Sequence, residues 1–167
     1  LTSSDIKFAD IDAQKWTGSA SKPALVITDG TYTLVEGKDF KATWKDNVSV
    51  GNATVTVEGI NGRYKDKLQK NFAISSKSIS DGKIVNNYKP STKNDLSGYT
   101  AADSVLKNEM YNDGKDVKAT FAVVDANNNK LEEGRDYTVE YKDNKNVGTA
   151  TITITGKGSY EGTLTTT

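Results

Sequence analysis

A block of 26 residues occurs twice in this chain. Leu34 to Gly59 returns as Leu131 to Gly156 at an offset of 97 residues with no gap, and 13 of the 26 pairs are identical. Most other pairs exchange like for like: Phe40 for Tyr137, Trp44 for Tyr141, Val55 for Ile152. A fixed-period repeat sets the domain count, because each copy is a structural unit that buries its own apolar face or a neighbour's. The chain is therefore read as two units, residues 1–76 and 77–167, joined near the polar stretch Ser75-Ser-Lys-Ser78. Two copies of one small unit imply an array of modules, not an enzyme built around one large pocket.

The dominant hydrophobic period is two. Phe40, Ala42 and Trp44 alternate with Lys41 and Thr43, and Ala53, Val55 and Val57 with Thr54 and Thr56. Tyr137, Val139 and Tyr141, then Ala150, Ile152 and Ile154, repeat the pattern. Such alternation predicts strands with one buried and one wet face. Further strands are expected at Ile6 to Ile11, Ala24 to Ile27, Gln69 to Ile74 and Val117 to Val123. Asp29-Gly30, Glu36-Gly-Lys-Asp39, Asp46-Asn47, Asp125-Ala-Asn-Asn-Asn129, Glu133-Gly-Arg-Asp136 and Asp143-Asn144 supply the turns between them. Turns every roughly 8–12 residues predict an all-β fold of antiparallel sandwiches.

Residues 86–110 interrupt the repeat. The stretch from Asn86 to Asp95 reads as an exposed loop. Thr100-Ala-Ala-Asp103 resembles a capping box, and Ala102, Leu106 and Met110 follow at spacings of four, with Ala101 and Val105 beside them. That pattern predicts a short amphipathic helix of about ten residues.

Composition narrows the chemistry. The 22 basic and 22 acidic residues cancel, which leaves no basic surface for nucleic acid and no polybasic membrane anchor. No apolar run reaches the roughly 20 residues of a membrane helix. Cys and His are absent. Disulfides, thiolate sites, the Ser-His-Asp triad and the commonest zinc ligand go with them. Leu1 in place of an initiator Met reads as a piece of a longer chain.

Several motifs resemble one family. Trp16-Thr-Gly18, Pro23, Asp29-Gly30, Gly37, Asp39-Phe40, Val50-Gly51 and Phe72-Ala-Ile74 in the first copy match the Ig-like β repeats found in tandem in Gram-positive surface proteins. So do Gly134-Arg-Asp-Tyr137, Asn146-Val-Gly-Thr-Ala-Thr-Ile-Thr-Ile-Thr-Gly-Lys-Gly-Ser-Tyr160 and Gly162-Thr163 in the second. Two departures stand out: Tyr111-Asn-Asp-Gly114 and Lys118 replace a Tyr-Thr-Gly-Lys motif and a proline, and Thr165-Thr-Thr167 precedes the place of a closing Phe-x-Ile strand. The resemblance implies two tandem Ig-like antiparallel β-sandwich modules, the second with a short inserted α-helix. It implies an extracellular location, at the cell surface or in the cell wall. The expected role is structural, as an elongated stalk or presenting segment. The alternatives are an adhesive module that binds cell-wall polymer, host glycan or host protein through the insert, and a self-assembling surface-layer domain whose partners are neighbouring copies.

Candidate sites are few. Tyr88, Lys89 and Tyr99 sit in the insert, where no repeat rule demands them, and loops on rigid scaffolds carry binding disproportionately. They are the expected binding residues. Tyr64 and Tyr160 are expected to pack at the sandwich ends, and Trp44 and Tyr141 to face the core. Asp125, Asn127 and Asn129 have the D-x-N-x-N spacing of a calcium loop, but no closing Gly and distal Glu follow, so a polar hairpin turn is expected and no metal. Asp10 with Asp12, or Asp113 with Asp116, are the weaker cation candidates. A Lys7–Asn71 isopeptide bond would need a desolvated Lys and a protonated acid, Asp39 or Glu58. The adjacent pair Glu132 and Glu133 points apart along the backbone, unlike two glycosidase carboxylates facing one substrate. No catalytic residue and no cofactor are expected.

Overall fold

The computed structural model describes residues 1, 4–90, 96–104, 106–107 and 109–167. The chain divides into two compact units, Leu1–Ser76 and Lys77–Thr167, and both are all-β.

The first unit contains β1 (Ile6–Phe8), β2 (Gln14–Lys15), β3 (Ile27–Asp29), β4 (Tyr32–Thr33), β5 (Phe40–Lys45), β6 (Gly51–Gly59) and β7 (Lys67–Ser75). They form two sheets, one in the order β1-β3-β4 and one in the order β2-β7-β6-β5. All pairings are antiparallel except that of β2 with β7. Alternation decides which face is buried. Ala53, Val55 and Val57 on β6 are fully buried, while their neighbours Thr54 and Thr56 are not. They join Ile27, Leu34, Phe40 and Tyr64 in the core, with Trp44 and Leu68 packed on it. Fully burying a side chain such as Val55, Ile27 or Phe40 contributes roughly 1.5–3 kcal/mol.

The second unit contains β8 (Lys77–Ser78), β9 (Lys83–Val85), α1 (Ala101–Ser104), β10 (Ala122–Val124), β11 (Tyr137–Lys142), β12 (Thr151–Gly156), β13 (Tyr160–Glu161) and β14 (Thr163–Thr166). An antiparallel sheet runs β11-β12-β14, β9 pairs with β10, and β8 pairs in parallel with β13. The repeat is preserved to the residue in strand register. Phe40 faces Gly59 and Lys45 faces Thr54 in the first unit; Tyr137 faces Gly156 and Lys142 faces Thr151 in the second.

Several expectations fail locally, and the strand expected from Ile6 to Ile11 covers only Ile6–Phe8. The helix is a single turn, Ala101–Ser104; Leu106, Lys107, Glu109 and Met110 are not helical, and Met110 is 87% exposed. Val105 of that expected helix, and residues 91–95 of the expected loop, lie outside the described residues. Nucleating a helix fixes several dihedrals for one hydrogen bond, and three apolar residues four apart do not repay it without a surface to cover. The alternating run from Val117 forms a ladder only at Ala122–Val124, since its first half has no antiparallel strand opposite it. Ala24-Leu-Val likewise stays outside the ladder, which begins at Ile27.

Candidate functional site

The insert residues form a closed network. Tyr99 is buried in a cluster with Val85, Ala122 and Val124, and Tyr88 and Leu96 pack against it. Its hydroxyl oxygen accepts the Lys89 backbone N–H at 2.8 Å. The Lys89 ammonium lies 5.5 Å from the Tyr99 ring centre and donates to the Gly98 carbonyl at 2.8 Å and to Asp103 Oδ2 at 3.2 Å. Asp103 Oδ2 also accepts the Thr100 N–H at 2.8 Å and the Thr100 hydroxyl at 2.7 Å. The Thr100 amide first, then its hydroxyl and the Lys89 ammonium, hold the Asp103 carboxyl well below the usual carboxylate range. The Tyr88 hydroxyl donates to the Asn128 carbonyl at 3.4 Å, and Asn128 Nδ2 donates to the Lys89 carbonyl at 2.9 Å. The structure thus brings Tyr88, Lys89 and Tyr99 together, but around an internal frame instead of an open platform.

Asp125 is a second hub. Its carboxylate is buried in a hairpin turn that Asn128, at φ 58°, bends. Oδ1 accepts the N–H groups of Asn127 and Asn129, each at 2.9 Å. Oδ2 accepts from Lys77 Nζ at 2.6 Å, Asn129 Nδ2 at 3.1 Å and the Tyr160 hydroxyl at 3.2 Å. Burial raises the Asp125 pKa, but the Lys77 ammonium and the Asn129 amides outweigh it and leave the carboxyl below its ordinary value. The lone pairs a cation would need are engaged by protein donors. Among the described residues no three acidic side chains gather to hold a metal ion. Asp10 pairs instead with Lys70 at 2.7 Å, and Asp116 with Lys145 at 3.4 Å.

The same hub exists in the first unit, a relationship absent from the expectations above. The Tyr64 hydroxyl donates to Asp29 Oδ2 at 3.0 Å, and Arg63 takes the cation's place at 2.8 Å. The spacing from acid to tyrosine is 35 residues in both units, a signal readable in the sequence once the two turns are aligned. Lys7 pairs through its backbone with Thr28, and Asn71 Oδ1 accepts from the Thr54 hydroxyl. Asp39 is occupied by Val35, Tyr32 and Asn61. Nothing in that arrangement joins Lys7 to Asn71.

The second unit also holds an open concavity. A groove of about 320 Å³ lies between residues 106, 107 and 109–111 on one side and the 143–150 loop on the other. Tyr141 and Ile152 line it, with Met110, Tyr111 and Val147 at its edge, and the last two are 55% and 86% exposed. Its size is at the lower end for a ligand pocket. No helix among the described residues is long and apolar enough to cross a membrane. Comparison of the chain with protein-family models, curated proteins and solved structures found no match.

Proposed function

We propose that the chain is a pair of tandem Ig-like sandwich modules of a Gram-positive cell-surface protein, with an extracellular, structural role as a stalk or presenting segment. One observation carries this reading: the two units repeat the same kinds of supporting bonds at equivalent positions, 97 residues apart for Asp39 and Asn47 and 96 apart for Tyr64. Asp39 and Asp136 accept from turn amides, Asn47 and Asn144 donate to the Ser21 and Val117 carbonyls, and Tyr64 and Tyr160 donate to Asp29 and Asp125, each within its own unit. Modules that satisfy their own polar groups suit an array whose stability sums over repeats. The inward commitment of Tyr88, Lys89 and Tyr99 weighs against an adhesive surface in the insert.

The test is retention of the purified chain on three solids: Gram-positive cell wall, wall stripped of its anionic polymers, and mucin. The stalk reading expects retention on none. Retention on mucin that disappears when Tyr88 and Lys89 are replaced by Ala would establish the adhesive reading instead. Concentration-dependent sheets would establish the surface-layer one.

A further inference from the structure

Lys70 stands in the inward row of β7. Leu68, Lys70, Phe72 and Ile74 alternate there with the exposed Gln69, Asn71 and Ala73, and Lys70 is the one charged member of the row. Its side chain is 24% exposed, and a cation so placed needs its ammonium engaged. Nζ reaches across to the other sheet of the first unit. It donates to the carbonyl of Phe8, the last residue of β1, at 2.6 Å and to Asp10 Oδ1 at 2.7 Å, and lies 5.3 Å from the Phe8 ring centre. Further along, the same segment meets β7 again. Gln14 and Lys15 of β2 pair in parallel with Ile74 and Ser75. The Trp16 N–H donates to the Ser75 carbonyl at 2.9 Å, and the Ser75 hydroxyl donates to the Gln14 carbonyl at 3.2 Å. The Trp16 side chain packs on Ala53, Phe72 and Ile74. Residues 8–16 therefore run beside β7 in its own direction, pinned at Lys70 and again at Ile74–Ser75.

Direction decides how such contacts meet tension. When the chain is drawn out, residues 8–16 are pulled toward their N-terminal side and β7 toward its C-terminal side. In a parallel pair these pulls oppose each other along one axis, so the cross-links share the load and break together. In an antiparallel hairpin both free ends leave from the same end, so the bonds open one at a time. Rupture under force follows the barrier to unfolding, not the equilibrium stability. We infer that residues 8–16 and β7 form a shear clamp pinned by Lys70, and that this clamp sets the resistance of the first unit to tension along the chain. The clamp rests on the stalk reading for its use, since a stalk is loaded along its chain, but not for its existence.

The chain has no Cys, so paired cysteines attach optical-tweezer handles at chosen places on the full chain. Ser4→Cys with Ser76→Cys loads the clamp lengthwise. Ser19→Cys with Ser76→Cys leaves residues 4–16 without tension and opens the same contacts from the Ser75 end. Ser4 and Ser19 are exposed. At one loading rate the first pair should rupture at the higher force. Lys70→Met should lower that lengthwise force and narrow the gap between the two pairs, while the force of the second pair stays as it was. Asp10→Asn, on an exposed side chain, repeats the test should Lys70→Met fail to fold. Gly37→Val, outside the clamp, should lower the melting temperature yet leave the lengthwise force unchanged. Three results overturn the inference: equal forces from the two pairs, a lengthwise force that ignores loss of the Lys70 contacts, or one that falls as far in Gly37→Val. Any of them leaves the stalk reading to the retention and scattering results, and failure of that reading leaves the measured forces unchanged.

Discussion

Asp39 and Asp136 stand 97 residues apart and make the same bond: Oδ2 of the first accepts the Val35 N–H at 2.9 Å, and Oδ2 of the second accepts the Glu132 N–H at 2.9 Å. Each closes the turn that precedes an equivalent hairpin, β5–β6 in the first unit and β11–β12 in the second. Gly37 and Gly134, inside those turns, donate to Phe40 and Tyr137 carbonyls in parallel fashion. A hydrogen bond to a charged group contributes about 1.5–3 kcal/mol, less where it is only part-buried, so Asp136→Ala should destabilise the second unit by about 1 kcal/mol or more. Asp39→Ala should destabilise the first. Chemical denaturation with a probe in each unit checks both, and a loss in the wrong unit would contradict the assignment.

Acid should weaken the fold. The carboxyls of Asp125 and Asp136 both lie below their ordinary pKa. For Asp125 the Lys77 ammonium and the Asn129 amides overcome burial; for Asp136 the Arg135 guanidinium comes first. A depressed native pKa means the unfolded chain binds protons more readily, so stability rises with pH through this range. The contribution is complete above about pH 4 and is lost as pH falls through the native values. Melting temperature should be flat near neutral pH and drop below about pH 4. Asp125→Asn should lower the neutral value and shrink the acid drop. On the alkaline side burial, then Glu133, pushes Tyr137 up to about 12. The unfolded tyrosine ionises first, so stability should fall above about pH 10.

Gly37 and Gly134 have φ of 83° and 84°, with open space where a Cβ would stand. A β-branched residue is strained in that region whatever the room around it. Gly37→Val and Gly134→Val should each cost about 1 kcal/mol or more. Equal melting of either variant and the parent chain would contradict this.

Tyr99→Phe keeps the ring in its cluster and removes the acceptor of the Lys89 N–H. The second unit should lose about 1 kcal/mol, and amide exchange should quicken at Lys89. An unchanged exchange rate at Lys89 would mean that the insert does not depend on this bond.

The repeat, the strands around Val55 and Ile152 and the turns at Asp46 and Asp143 were legible because each leaves a local mark. Period-two alternation reports a half-buried strand, and Asp46 and Asp143 carry the positive φ of 57° and 60° that Asp tolerates. The insert was not legible in the same way. Tyr88, Lys89 and Tyr99 looked free because no repeat position claims them, yet 25 residues without a counterpart need a core of their own, and Tyr99 supplies it. The capping-box residues Thr100 and Asp103 tie down that insert beside a single helical turn, which leaves Met110 in solvent. The shared Asp–Tyr hubs were readable only by comparing the two copies at a spacing of 35 residues.

The stalk reading is tested most directly by small-angle scattering of the full chain in dilute solution. A compact globule of 167 residues has a radius of gyration of about 15 Å. Two modules carried in line predict a value near 20 Å or above, roughly what two separate 80-residue globules give when joined end to end, with a shoulder in the distance distribution. A single symmetric distribution with a radius near 15 Å would contradict the stalk.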